Sequence, residues 1–475
     1  MVKQKPKGKR KQLEEIYNRE ELNILYDVRD EIIFLISDKK TAKAIEVVVN
    51  DILDREHIFT IRHDDKSEMW IYRNGIYVPN AQTFIRERTR HLYTDFYSKN
   101  KSQEVSNRIE TETYIDMEEF FKEENPDLIA VKNGILNLRT KELKDFNPEQ
   151  RFFVKNPIIY DPKAKCPKII RFLKEILENK EDLDIVQELF GFCLVRDYFL
   201  ERSIFLWGGG RNGKSKLLDI MRSFLGPSNC VEIPLQDFER DNFAVSNLHK
   251  KLVNLSADLS SEAIGYSGTF KKLTGRDLVT ANRKHRERIS FVSYAKQIFA
   301  GNDIPETKDM SNGFFIRWVI LKFPLTFLPQ GDIDQKPKGE RENIRLDNPD
   351  IIKGLINPKE LSGLLNWSLE GLERLYKNKE FSHSKGMESV KNEWIRKSNS
   401  FEGFFAECLE LDFDSLVKVS ELNGKYNEYC SKNGVRRIGP KDFNLKLEGK
   451  GCEGKAKTIE GKSYKVWEGI KFKDL

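Results

Sequence analysis

Residues 208 to 215 read Gly-Gly-Gly-Arg-Asn-Gly-Lys-Ser. A glycine, four residues, then Gly-Lys-Ser is the spacing of a phosphate-binding loop. Backbone N–H groups of such a loop cradle phosphates, the lysine reaches the outer phosphates, and the serine hydroxyl holds Mg²⁺. The expected contacts are Gly208, Gly209, Gly210, Arg211, Asn212, Gly213, Lys214, Ser215 and Lys216. Three more positions could complete a phosphate-transfer site. Asp258 closes an apolar run, and a carboxylate there can hold the Mg²⁺ shell beside Ser215. Asn302 closes a second apolar run and could position a water or sense an outer phosphate. Arg317 stands inside the apolar stretch 313–321, where a guanidinium needs an anionic partner. That partner is either a structural carboxylate or a phosphate held by a neighbouring subunit.

Between Asp258 and Asn302 lies a dense basic run with Lys272, Arg283, Lys284, His285 and Arg286. Flanked by strand formers, it reads as a hairpin with a cationic tip. Such a tip can hold a nucleic-acid backbone by charge without reading bases. It also reads as a solvated charge run.

The elements that must position these residues are legible around them. Residues 203–207 are a short apolar run suited to a buried strand, and residues 216–221 have helical spacing. Strand, glycine-rich turn and helix together put a positive helix end against an anion. From 200 to about 330 strands alternate with helices, the pattern of a covered α/β sheet. Upstream, residues 167–200 are helical. Residues 12–60 are helical too, and Trp70–Val78 forms a hairpin around Asn74-Gly75. A second Asn-Gly, Asn133-Gly134, stands between the β-like runs Leu128–Val131 and Ile135–Leu138, so the region to about 150 reads as mixed α+β. Downstream, 331–349 is polar and charged and reads as an exposed loop. Residues 350–398 are helical, with a leucine stripe at Leu361, Leu364, Leu365, Leu369, Leu372 and Leu375. The expected fold class is a multidomain α/β protein. Its parts are a flexible tail (1–12), an α+β domain (13–115), a helical region (116–200), a phosphate-loop core (201–345), a helical lid or linker (346–398) and a terminal module (399–475).

The chain has 475 residues, 33% charged and 39% apolar, with a net charge of +6. No apolar run approaches the roughly 20 residues that span a bilayer, so no membrane partner is expected. The N-terminus has no apolar signal core. Six cysteines form no CxxC pair, which gives no support to a zinc site and fits a reducing cytoplasm. The segment Lys3–Lys11 is basic and unpatterned. It reads either as a non-specific phosphate-backbone tether or as a solvated terminus.

The order of these parts resembles the superfamily 3 helicases, and more closely the phage/plasmid primase-helicase family of viruses and plasmids. The stretches that carry the resemblance are GGGRNGKS, NLSADLS, FKKLTGRD, ANRKHRER, IFAGNDIP and FFIRW. Upstream, VKNGILNLRTKELKDFNP and IIYDPKAKCPKIIRFLKEIL are similar to the region ahead of the family's motor. Downstream, LNGKYNEYCSKNGVRRIG is similar to its winged-helix-like module. The resemblance covers roughly 115–475. It implies an AAA+-like core, ATP and Mg²⁺ as cofactors, and a homo-oligomeric ring, a hexamer, with ATP between subunits. It places phosphate binding on Lys214, Mg²⁺ on Ser215 and Asp258, the sensor on Asn302, the arginine finger on Arg317 and single-strand tracking on Lys284-His285. Its partners are single-stranded and forked DNA, with a primase or other replication proteins. The implied location is the host cytoplasm.

The chain departs from the family in two respects. After Asp258 the next carboxylate is Glu262, so the group that orients the water is not identified. The first 115 residues hold no strand-borne Asp-x-Asp pair, the nearest acidic cluster being His63-Asp64-Asp65, so primer synthesis is not expected. Two other classes stay open: a DNA-packaging or small-molecule P-loop enzyme, and a non-catalytic origin-binding or loader protein. In the terminal module Lys425, Lys432, Arg436, Arg437 and Lys441, with a wing at Gly461, fit a winged helix on duplex DNA or on protein.

Overall fold

The computed structural model describes residues 19–62, 67–122, 125–177, 179–241, 243–260, 264–284, 286–383, 385–459 and 461–473. The basic segment Lys3–Lys11, the cluster His63-Asp64-Asp65, Glu262 and His285 lie outside the described residues, as does the side chain of Arg286. Two compact units divide the chain: the first ends at Lys155, and the second starts at Asn156 and also takes in 131–133 and 137–142.

In the first unit, α1 (Arg19–Ser37) and α2 (Thr41–Arg55) precede β1 (Ile58–Ile61), β2 (Glu68–Arg73) and β3 (Ile76–Val78). Next come α3 (Ala81–Tyr93), α4 (Lys99–Glu112) and β4 (Tyr114–Ile115). The sheet order is β3-β2-β1-β4, with β4 parallel to β1 and the other pairs antiparallel. The β2–β3 turn works because Asn74 and Gly75 both take positive φ, 51° and 94°, which matches the twist of the flanking strands. Period-two alternation splits the sheet's faces. Ile58, Met69 and Ile71 pack on Ala44, Ile45, Val48, Val49 and Ile52, a single stripe of α2. Phe59, Trp70 and Tyr77 pack on Phe120 from the opposite face. Inside the helical layer Arg88 donates to Asp51 Oδ2 through Nε (2.9 Å) and Nη2 (2.7 Å), while Arg55 Nε donates to Oδ1 (2.9 Å). A carboxylate this buried needs both partners.

Residues 116–166, the start of the expected helical region, are mostly strand and loop. They carry β5 (Leu128–Val131), β6 (Gly134–Asn137) and β7 (Leu143–Lys144), and β6 pairs antiparallel with β7. Helix begins at α5 (Pro167–Ile176), followed by α6 (Lys180–Leu194). The β-like runs read on either side of Asn133-Gly134 are thus strands, with Gly134 at φ 152° between them.

The centre of the second unit is a five-stranded sheet. Its strands are β8 (Ser203–Trp207), β9 (Cys230–Val231), β10 (Val253–Ser256), β13 (Lys296–Gly301) and β14 (Trp318–Lys322), in the order β14-β8-β13-β10-β9. All its pairs are parallel. Strands β10 and β13 are buried along their whole length, polar residues included, and Asn254 Nδ2 donates to Gln297 Oε1 (3.0 Å) between them. The helix α7 (Lys214–Leu225) follows β8. Before β13, α8 (Gly268–Thr274) leads into an antiparallel hairpin of β11 (Leu278–Arg283) and β12 (Arg286–Val292).

After β14, β15 (Thr326–Leu328) pairs parallel with β16 (Ile344–Leu346). The stretch expected as an exposed loop, 331–349, therefore carries a strand. The long helix α9 (Pro358–Asn378) buries Leu364, Leu365, Leu369, Leu372 and Leu375 and packs along α6; α10 (Lys385–Ser398) follows. The terminal module runs α11 (Ser400–Cys408), β17 (Leu409–Lys418), α12 (Val419–Asn433), α13 (Pro440–Gly449), β18 (Glu453–Ile459) and β19 (Lys462–Phe472). Its antiparallel sheet has the order β17-β19-β18 over a core of Phe401, Phe404, Tyr426, Phe443 and Trp467. Sequence reading missed β17, whose alternation breaks at a register shift between Asp412 and Leu416. Among the described residues no helix is long and apolar enough to cross a membrane.

Candidate active site

The residues singled out around the glycine-rich loop converge at the carboxyl ends of the parallel strands, where open α/β sheets bind ligands. The loop leaves β8 with Gly208 at φ 155°, passes Arg211 at φ 58°, and enters α7 through Gly213 at φ 90°. Gly213 is required twice over. Its backbone is left-handed, and a Cβ there would stand 2.8 Å from Ile176 Cγ2 on α5. The first backbone bond of the helix runs from Leu217 N–H to Gly213 O. The N–H groups of Lys214, Ser215 and Lys216 therefore precede the helical ladder and face the loop's concavity.

Lys214 is 7% exposed. Its Nζ donates to Gly208 O (2.5 Å), Gly209 O (3.0 Å), Asn212 Oδ1 (3.1 Å) and Asn302 Oδ1 (3.2 Å). All four acceptors are neutral. The ammonium is solvated by dipoles but its charge is not balanced, and burial pulls its pKa down to about 8. An anion is what this site lacks. Bound phosphate needs the protonated amine, so nucleotide affinity is expected to fall as pH rises through 8. If the neutral amine does not bind, the dissociation constant weakens about tenfold between pH 7 and pH 9. Titration of ADP binding across that range checks this; a flat profile would contradict it.

The loop opens on a cavity of about 720 Å³. Asp258 enters it two residues beyond β10, and Asn302 enters directly after β13. Ser215 and Asp258 both line it, and neither side chain has a hydrogen-bond or ion-pair partner among the described residues. Two oxygen groups are a sparse set for a metal by themselves. They suit Mg²⁺, which keeps several waters and is held by one or two protein oxygens plus substrate phosphates. Consistent with this, no group of three or more His, Cys, Asp or Glu that could hold a metal exists among the described residues.

Sequence reading missed one wall of the cavity. Phe172 and Ile176 of α5 face Phe327, Leu346 and Ile351 across an apolar slot. Of the slot's far side, Leu346 belongs to the stretch taken for an exposed loop, while Phe327 precedes that stretch and Ile351 follows it. Nor does α5 cap its own amino end. Lys168 N–H and Ile169 N–H both donate to Glu360 Oε2 of α9, at 3.1 Å each.

Arg317 is not brought to this cavity. It precedes β14 at the opposite end of the sheet, where its carbonyl accepts from Ser203 N–H at the start of β8. One five-residue strand separates it from the loop, roughly 17 Å. Its guanidinium donates through Nε to Thr274 Oγ1 (3.0 Å), through Nη2 to Glu201 Oε2 (2.8 Å) and through Nη1 to Gly313 O. It therefore cannot serve its own loop.

The basic run is a hairpin, as expected. Lys284 stands exposed at its tip, and the backbones of Arg283 and Arg286 pair across it. Lys272 is exposed on α8, at the hairpin's root rather than its tip. In the terminal module Gly461 turns between β18 and β19 with φ 77°. Lys455 and Lys457 there both donate to Glu468.

Two protein-family models match the chain. Residues 38–178 match a family described as D5 N terminal like, and residues 206–317 match a family of unknown function, DUF5906. A protein of Acanthamoeba polyphaga mimivirus named "Putative helicase L207/L206" is 26% identical over 229 residues, which is 46% of this chain and 24% of the relative. The Sputnik virophage protein "Putative helicase V13" is 24% identical over 301 residues, 59% of this chain and 36% of the relative. The chain is thus similar, over these spans, to a D5 N terminal like family and to viral proteins named putative helicases. It spans well under half the length of either relative. The apo C-terminal region of NrS-1 aligns over 89% of this chain and 98% of its own length, with 12% identity and a TM-score of 0.46. The 206–317 match runs from β8 to Arg317 and so contains the loop, Asp258, the basic hairpin and Asn302.

Proposed function

We propose that the chain is an ATP-dependent DNA helicase that unwinds DNA during replication of a virus or plasmid. It works in the host cytoplasm as a hexameric ring moving on single-stranded DNA. The observation that carries this reading is Lys214. A buried ammonium held only by neutral oxygens, at the mouth of a cavity that also receives Ser215, Asp258 and Asn302, is a site prepared for a polyphosphate.

On this reading the second unit's sheet is an AAA+-like core, and the terminal module is a winged helix with β18–β19 as its wing. The loop N–H groups and Lys214 bind and orient the β- and γ-phosphates of ATP. Ser215 and Asp258 would hold Mg²⁺, which would supply charge neutralisation at the transferring phosphate. Asn302, already bonded to Lys214, releases that bond to hold the attacking water or the γ-phosphate. Arg317 completes the site of the adjoining subunit. The hairpin tips with Lys284 grip the strand through its backbone, so binding carries no sequence preference.

The test is ATP hydrolysis with and without single-stranded DNA, together with strand separation on a forked duplex. The expected result is stimulation by DNA and ATP-dependent separation. Hydrolysis indifferent to DNA, with the fork left intact, would return the chain to another class of P-loop enzyme.

A further inference from the structure

Besides Asp258 the cavity is lined by two carboxylates that the proposed chemistry does not use, Asp347, next to Leu346, and Glu175. Glu175 lines it from α5, exposed to the cavity and without a hydrogen bond or ion pair among the described residues. Asp258 and Glu175 come from different walls. Asp258 enters from the strand ends beside Asn302, the partner of Lys214. Glu175 belongs to the helix that forms the apolar slot.

The order of side chains along α5 indicates what Glu175 meets. Phe172 stands in the slot with Phe327 and Leu346, which suits a flat nucleobase. Ile176 is packed against Gly213, immediately before the phosphate-binding Lys214. From Phe172 to Ile176 is one helical turn, about 6 Å along the axis. Base, sugar and phosphate of a nucleotide lie in that order over a similar span. Glu175 falls between the two ends, level with the sugar. A carboxylate only accepts hydrogen bonds, and the sugar's hydroxyls are the donors available there. Acidic side chains hold ribose hydroxyls in dinucleotide sites by the same chemistry.

We propose that Glu175 accepts a hydrogen bond from the ribose 2′-hydroxyl of the bound nucleotide and makes the site selective for ribonucleotides over 2′-deoxyribonucleotides. The inference rests on the nucleotide-site reading above. Calorimetry of the full chain with Mg²⁺ and either ADP or 2′-deoxy-ADP tests it. Wild type is expected to bind ADP about tenfold tighter, the worth of one hydrogen bond to a charged acceptor. Glu175→Ala is expected to bring the ratio close to one by weakening ADP alone. Glu175→Gln, whose amide oxygen still accepts, keeps part of the preference. Equal binding of the two diphosphates by wild type would overturn the proposal. So would a Glu175→Ala variant that weakens both alike, or one that loses hydrolysis with the ratio unchanged, since either outcome puts the carboxylate at the phosphates. If wild type binds neither diphosphate, it is the nucleotide-site reading itself that fails.

Discussion

Lys214→Ala is expected to lower ATP hydrolysis at least a hundredfold, about 2.7 kcal/mol of transition-state stabilisation, while the chain stays folded. The two halves of this expectation have separate causes. Hydrolysis falls because the ammonium is bonded to Asn302 and to the loop carbonyls, and its charge is unbalanced until phosphate arrives. The fold survives because the lysine makes no ion pair. Its partners are the carbonyls of Gly208 and Gly209 and two side-chain amides, at the rim of an open cavity where water can replace the amine. Steady-state hydrolysis and a thermal melt, measured on the same preparation, check both. A variant that hydrolyses ATP within tenfold of wild type would remove the phosphate-binding role.

Arg317→Ala is expected to bind nucleotide normally and to lose hydrolysis by about a thousandfold, the lower end of what arginine fingers contribute. The stronger form of the test mixes two dead variants. In a ring, the Lys214 of an Arg317→Ala subunit meets the Arg317 of a Lys214→Ala subunit, and that composite site is intact. Activity should therefore return on mixing. The competing reading gives Arg317 a purely structural task, through Glu201 and Thr274. It predicts no recovery on mixing, and it predicts that Glu201→Ala damages the protein as much as Arg317→Ala does. An ion pair whose carboxylate side chain is 53% exposed contributes little to stability, so Glu201→Ala should be mild. The bond to Thr274 adds a mechanical aspect. Thr274 ends α8, directly before the basic hairpin. An arginine drawn toward a neighbour's phosphate has to let go of the hairpin's root.

The sheet and the loop were legible because their signals are local. Strand β8 coincides with the run Ser203–Trp207, and β13 with the apolar stretch before Asn302. The buried centres of both strands, Ile204–Leu206 and Ile298–Ala300, are apolar, which is how burial in a parallel sheet writes itself into sequence. The Asn74-Gly75 turn was legible for a similarly local reason, since few residue pairs tolerate two positive φ angles. The apolar wall of the cavity was hidden. Phe172, Phe327, Leu346 and Ile351 come from three separate segments, and none has a spacing that links it to the loop. Glu175 looked like any solvated helix residue. The strands on either side of Asn133-Gly134 were legible from a turn signal of the same Asn-Gly kind, whereas the two-residue strand Leu143–Lys144 is too short to display a period. The position of Arg317, at the far end of the sheet from the loop, depends on strand order, which the sequence does not state.

The cap on α5 bears on how the motor could be cut from the chain. Glu360 holds the amino end of the helix whose other end presses on Gly213, and the two partners are separated by almost the whole motor sequence. The motifs suggest a cassette from 201 to 345. The cavity instead borrows one wall from before that span, another from its last residues onward, and the clamp on the first from beyond it. Inheritance of this machine by recombination would thus have to carry residues from about 167 to 378 as one piece. Any fragment trimmed to its motifs would keep the phosphate grip and lose the room for the rest of the nucleotide.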